Sequence, residues 1–174
     1  IYTTNTPEQC EYIVNHSESA FVVVENQNQL SKILKRRDEM PQVKKIIVMD
    51  DSVESPGDIV MNFREVLALG DDPSLDAELD RRIQDIKPDH LATLVYTSGT
   101  TGPPKAVMLS HHNLVWTAGS IAQLLKSEEG DLLLSYLPLS HIAEHTLSVF
   151  GAIYNGYSVA FAESLEKVPE NLRE

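Results

Sequence analysis

Two short β-branched runs with a helical stretch between them constrain this chain more than any other feature. Residues 20–25 (AFVVVE) and 44–50 (KKIIVMD) carry the Val and Ile enrichment of strands, and between them Leu30, Ile33 and Leu34 fall on one helical face. Strand, helix and strand in that order form a β-α-β unit, the building block of a parallel sheet. The fold class that follows is α/β, a mostly parallel sheet flanked by helices. Ahead of the unit, Thr6, Pro7 and Gln9 spell a helix start with a capping box, and Cys10, Ile13 and Val14 continue as an apolar stripe.

The rest of the chain divides by pattern. Residues 1–50 hold the β-α-β unit, residues 51–90 read as an acidic helical connection, and residues 91–174 form a third segment. In the connection, a short helix over 62–69 closes at Gly70, and a helix over 74–87 turns Leu75, Leu79 and Ile83 inward. Beyond it come the strand LATLVYT, a loop, the strand KAVMLS and a helix capped by Ser110 that carries Leu114, Val115, Ala118, Ile121, Ala122 and Leu125. DLLLSYLPL then reads as a buried strand, residues 141–154 as a helix and YSVAFAE as a last strand. Trp116, Tyr136, Leu137 and Leu139 are expected in the core.

Charge narrows the function. With 14 Lys and Arg against 26 Asp and Glu, the net charge of −12 excludes a sequence-independent grip on nucleic acid. An anionic ligand must therefore be held locally. Cys10 is the single cysteine, so no internal disulfide forms, and a reducing, cytoplasmic setting fits. No apolar run approaches the ~20 residues of a membrane span. The opening IYTTNTPEQC has neither an initiator Met nor a leader's basic and apolar regions, and EKVPENLRE reads as a charged helix start, so a piece of a longer protein is expected.

The local site is the loop in YTSGTTGPPKAV, residues 96–107. Between residues 88 and 125 the one cation is Lys105 and the one carboxylate is Asp89. Gly99 and Gly102 let backbone N–H groups converge on a small anion, Thr97, Ser98, Thr100 and Thr101 add hydroxyl donors, and Lys105 adds a point charge suited to phosphate. The spacing is not that of a Walker loop, and Pro103 with Pro104 opposes a helix, so a hairpin loop that closes over a nucleotide is expected.

YTSGTTGPPKAVMLSHHNL resembles the signature loop of the adenylate-forming (AMP-binding) superfamily of acyl-CoA synthetases, luciferases and peptide-synthetase adenylation domains. Its pattern is close to Y-T-S-G-S/T-S/T-G-x-P-K-G, and only Ala106 departs from it, in place of the final Gly. IYTTNTPEQCEYIVNHSES and SYLPLSHIAEH are similar to further segments of that family, the second to the motif lining the acyl pocket. The combination looks most like the bubblegum-type branch of long-chain fatty acyl-CoA synthetases, within the large N-terminal domain.

The resemblance implies a carboxylate attacking the α-phosphate of Mg2+-bound ATP to give an acyl-adenylate and pyrophosphate, followed by thioester formation with coenzyme A. It implies phosphate binding by Thr97, Ser98, Gly99, Thr100, Thr101, Gly102 and Lys105, and places His141 near the reacting carboxylate. It also implies a fatty acid or another carboxylate as partner, and peripheral membrane contact for a lipid substrate. The family's later motifs Y-G-x-S/T-E and T-G-D have no match, nor is there a small C-terminal domain with its lysine, so the isolated fragment is expected to be inactive.

Two other readings stand beside this one. A non-catalytic α/β module could retain the loop for nucleotide binding or interaction. HIAEH, residues 141–145, also fits H-x-x-E-H, a zinc-hydrolase pattern with Glu144 as general base. Asp50 and Asp51, after KIIVM, read as turn residues at a strand end rather than an acidic metal site.

Overall fold

Helix α1, Pro7–His16, starts where its capping box directs: the Gln9 amide donates to Thr6 Oγ1 at 3.3 Å and the Thr6 amide donates to Gln9 Oε1 at 2.9 Å. In this computed structural model, which describes residues 1–54, 57–97 and 102–173, the chain divides into two units, Ile1–Ile86 and Lys87–Glu174.

In the first unit, strand β1 (Phe21–Val24), helix α2 (Gln27–Lys35) and strand β2 (Lys45–Val48) form the expected β-α-β unit, with β1 and β2 parallel and Val22 opposite Ile46. Asn26 caps α2, its Oδ1 accepting from the amides of Asn28 and Gln29. A third parallel strand, β3 (Val60–Asn62), pairs Val60 with Ile46 and leads into α3 (Phe63–Gly70). The strand lies inside the stretch expected to be a helical connection, and its three residues are too few to show alternation. Leu30, Met40, Ile46 and Val48 are fully buried, joined by Cys10, Val14, Val22, Val24 and Val60. Each such Leu or Ile contributes about 1.5–3 kcal/mol by leaving water.

Helix α4, Asp76–Gln84, does not turn its leucines inward. Leu75, Leu79 and Ile83 are each about half exposed, which corrects the sequence expectation. The helix is laced by its own ion pairs instead: Glu78 receives Arg81 and Arg82, and Arg81 also reaches Asp85. These bridges hold the Glu78 carboxyl down at about 2.

The second unit begins with an antiparallel hairpin of β4 (Leu91–Thr97) and β5 (Lys105–Ser110). Helix α5 (His111–Leu125) follows through a reciprocal Ser110–Asn113 cap and leaves through Lys126 in the left-handed region, φ 55°. Strand β6 (Leu132–Ser135) runs parallel to β7 (Ser158–Phe161). Between them lies a composite helix: α6 (Ile142–Glu144), a π-helical segment (His145–Gly151) and α7 (Ala152–Asn155). A short α8 (Val168–Asn171) completes the elements.

Core placement in this unit differs from expectation. Leu114 and Ala118, one turn apart on α5, are buried, whereas Trp116 between them projects from the opposite face and is 65% exposed. Tyr136, Leu137 and Leu139 lie past the end of β6 in a turn and are also exposed, and Leu132 opens a strand that is buried only at Ser135. Among the described residues no helix is long and apolar enough to cross a membrane.

Candidate active site

The hairpin presents the phosphate-loop sequence between two paired flanks. Thr97, the last residue of β4, stands opposite Lys105, the first of β5, so the ladder closes at the base of the loop. Both side chains are exposed, and Lys105 joins none of the ion pairs among the described residues. Gly102 holds φ +92° with open space where a Cβ would stand, so its glycine is required by the dihedral rather than by crowding. Ser98, Gly99, Thr100 and Thr101, the rest of the candidate phosphate ligands, lie outside the described residues. Ala106 sits in the ladder opposite Tyr96 and is not among the positive-φ residues, so the methyl that replaces the family's glycine meets no backbone strain.

His141 terminates the turn after β6. It is the N-cap of α6, with Nδ1 accepting from the Ala143 amide at 3.3 Å, its own amide donating to Pro138 O at 2.8 Å and its carbonyl receiving the His145 amide. An Nδ1 that accepts a hydrogen bond fixes the neutral ring as the Nε2–H tautomer. The exposed imidazole therefore offers one N–H donor outward.

Three residues on, Glu144 is only 4% exposed. Its Oε2 accepts from the Leu137 amide at 3.3 Å, its Oε1 accepts from the Ser148 hydroxyl, and the Ser135 hydroxyl and Tyr136 amide also donate to it. Burial alone pushes this carboxyl up, but the four donors together outweigh burial and hold it below the usual carboxylate range. Ser135, Glu144, Thr146 and Ser148 are the buried polar side chains of the described residues, and all lie between the end of β6 and the π segment. Sequence reading missed this network; its signal was a Glu–Ser pair at i, i+4 in a helix that follows a serine closing an apolar strand.

The zinc-hydrolase pattern fails in this geometry. Glu144 is buried with its acceptors occupied, and the His145 ring stacks on Phe150 with centroids 4.9 Å apart. Among the described residues no three His, Cys, Asp or Glu side chains group as a metal site. Asp50 instead accepts from the amide and hydroxyl of Ser52, and Asp51 pairs with Arg64 at 2.5 Å.

Between α5, β6 and the π segment lies a half-open pocket of about 240 Å³ whose lining includes Ala118, Ile121, Leu133 and Leu147. Tyr157 closes one side, its hydroxyl donating to Leu147 O, and Gly151 leaves the space that this hydroxyl occupies.

Comparison with known proteins is consistent across the chain. Residues 1–173 match the family model described as AMP-binding enzyme. The long-chain-fatty-acid–CoA ligase ACSBG2 of Xenopus laevis is 41% identical over 167 residues, which covers 94% of this chain and 22% of that protein. The long-chain-fatty-acid–CoA ligase ACSBG1 of Homo sapiens is 40% identical over 167 residues, covering 94% of this chain and 23% of that one. The chain thus spans about a fifth of the length of the curated relatives it matches. Among solved structures, the anthranilate CoA ligase AuaEII in complex with anthranoyl-AMP superposes with a TM-score of 0.77 at 23% identity, covering 99% of this chain and 31% of its own. A long-chain-fatty-acid CoA ligase from Rhodopseudomonas palustris, described as putative, superposes at 0.72 with 17% identity, covering 92% and 37%. These likenesses establish the fold.

Proposed function

The chain belongs to the AMP-binding enzyme family, and from that premise we propose that it is the phosphate-loop portion of an ATP-dependent long-chain fatty acid–CoA ligase. The observation that carries the proposal is the unbroken run YTSGTTGPPK strung across the β4–β5 hairpin, with Lys105 the only cation between residues 88 and 125. A fatty acid carboxylate attacks the α-phosphate of ATP, pyrophosphate leaves, and the thiol of coenzyme A then displaces AMP. Thr97, Ser98, Gly99, Thr100, Thr101, Gly102 and Lys105 orient the leaving phosphates and offset their charge. His141 donates from Nε2 toward the oxygen that becomes more negative as the adenylate forms. Among the described residues no three His, Cys, Asp or Glu side chains group as a metal site, and no step is routed through one here.

The test is isotope exchange between pyrophosphate and ATP by the full-length protein. Exchange that requires a long-chain fatty acid is the expected result, with none from the isolated 174-residue chain, which lacks matches to Y-G-x-S/T-E and T-G-D. Fatty-acid-independent exchange, or steady exchange by the isolated chain, would contradict the proposal.

A further inference from the structure

Glu144 is a buried carboxylate with four donors and no ion-pair partner among the described residues. The helix turn itself needs no such group, yet an apolar side chain in its place would leave the Tyr136 and Leu137 amides and the Ser135 and Ser148 hydroxyls without this acceptor. The donors come from two places. The Ser135 hydroxyl and the Tyr136 and Leu137 amides lie at the end of β6 and the start of the turn, while the Ser148 hydroxyl lies one helical turn onward in the π segment.

His141 sits between those two attachments. Its amide is tied to Pro138 O on the turn side and its carbonyl to the His145 amide on the helix side. Its ring is oriented by the Ala143 amide, the residue next to Glu144. The carboxylate therefore clamps both ends of the segment whose tip is the His141 imidazole. A helix register change of one residue, of the kind a π segment accommodates, would otherwise swing that tip.

We propose that Glu144 is a positioning residue for His141: by joining residues 135–137 to Ser148 it holds the imidazole with Nδ1 turned inward and Nε2–H turned out toward the reacting carboxylate. This rests on the acyl-adenylate reading above. Glu144 touches no substrate in this arrangement and acts only through the turn. Glutamine at 144 keeps the volume but turns an NH2 group against an amide or hydroxyl donor, which loosens the clamp.

The experiment is a double-mutant cycle in the full-length protein, reading fatty-acid-dependent pyrophosphate–ATP exchange for wild type, E144Q, H141N and the double variant, with thermal unfolding followed in parallel. Asn at 141 retains an N-cap but has no imidazole donor. E144Q is expected to lower kcat about 10–100-fold with KM for ATP unchanged, and to add nothing once His141 is already Asn. E144D is expected to recover part of the loss.

Equal losses from E144Q in both backgrounds, or no loss at all, would overturn the inference. Wild-type activity in H141N would overturn it too, since there would be no catalytic histidine to position; fatty-acid-dependent exchange would then still stand for the ligase reading. Should E144Q fail to fold, S148A removes one donor and leaves the carboxylate, and a smaller kcat loss confined to the His141 background is required of it.

Discussion

A carboxylate held by donors rather than by a cation titrates in a direction that can be worked out. In the folded chain Glu144 lies below its ordinary value, because the Ser135 and Ser148 hydroxyls and two turn amides outweigh the effect of burial. Its stabilising contribution is complete above the unfolded value of about 4.3 and is lost as pH falls from there through the folded value. Urea unfolding between pH 6 and 3 is expected to show a steeper loss of stability in wild type than in E144Q, which has no carboxyl to protonate; parallel curves would mean that the carboxylate contributes no such linkage. At this scale the sequence was legible where partners are close along the chain. The Thr6–Gln9 capping box and the Ser110 cap could be read directly, and the structure adds Asn113, three residues on, as the partner of Ser110. Glu144 could not, since its burial depends on Ser135 and Leu137 returning to it through a turn that no periodicity encodes.

The elements divide in the same way. The β-branched runs made β1 and β2 evident, and Leu30 was evident as part of the apolar face of α2; the burial of Val22, Val24, Ile46 and Val48 in alternation with more accessible neighbours appears only in the structure. Leu30→Ala is expected to cost about 2–5 kcal/mol in denaturant unfolding, while Leu79→Ala, on a helix whose leucines face outward, should change stability by under about 0.5 kcal/mol. Comparable losses would mean that α4 has an apolar partner. The spacing of Leu75, Leu79 and Ile83 suggested that partner, but helical spacing only identifies a shared face and does not supply something to cover it. Helix α5 misled for a related reason: it is apolar on several faces, so Trp116 could not be told from Leu114 and Ala118 without seeing which face packs against the π segment.

At the scale of the whole molecule, the chain pairs an α/β unit built on three parallel strands with a unit that carries the hairpin and the His141 turn. Fold class and family were legible because β-branched runs and a twelve-residue signature are local features of sequence. The bare sheet face was not: Phe21 and Val23 on β1 are each more than half exposed, although parallel sheets are ordinarily covered on both sides. The relatives that share this stretch are four to five times as long, which follows from its covering 22–23% of them. The central claim, that the hairpin loop holds the phosphates of ATP, is tested most directly by Lys105→Ala in the full-length protein. Fatty-acid-dependent pyrophosphate release should fall by about 10²–10³-fold while the unfolding midpoint stays within about 2 °C of wild type, as expected for an exposed side chain outside the ion pairs. Full activity in that variant, or a loss of stability that accounts for the lost turnover, would contradict it.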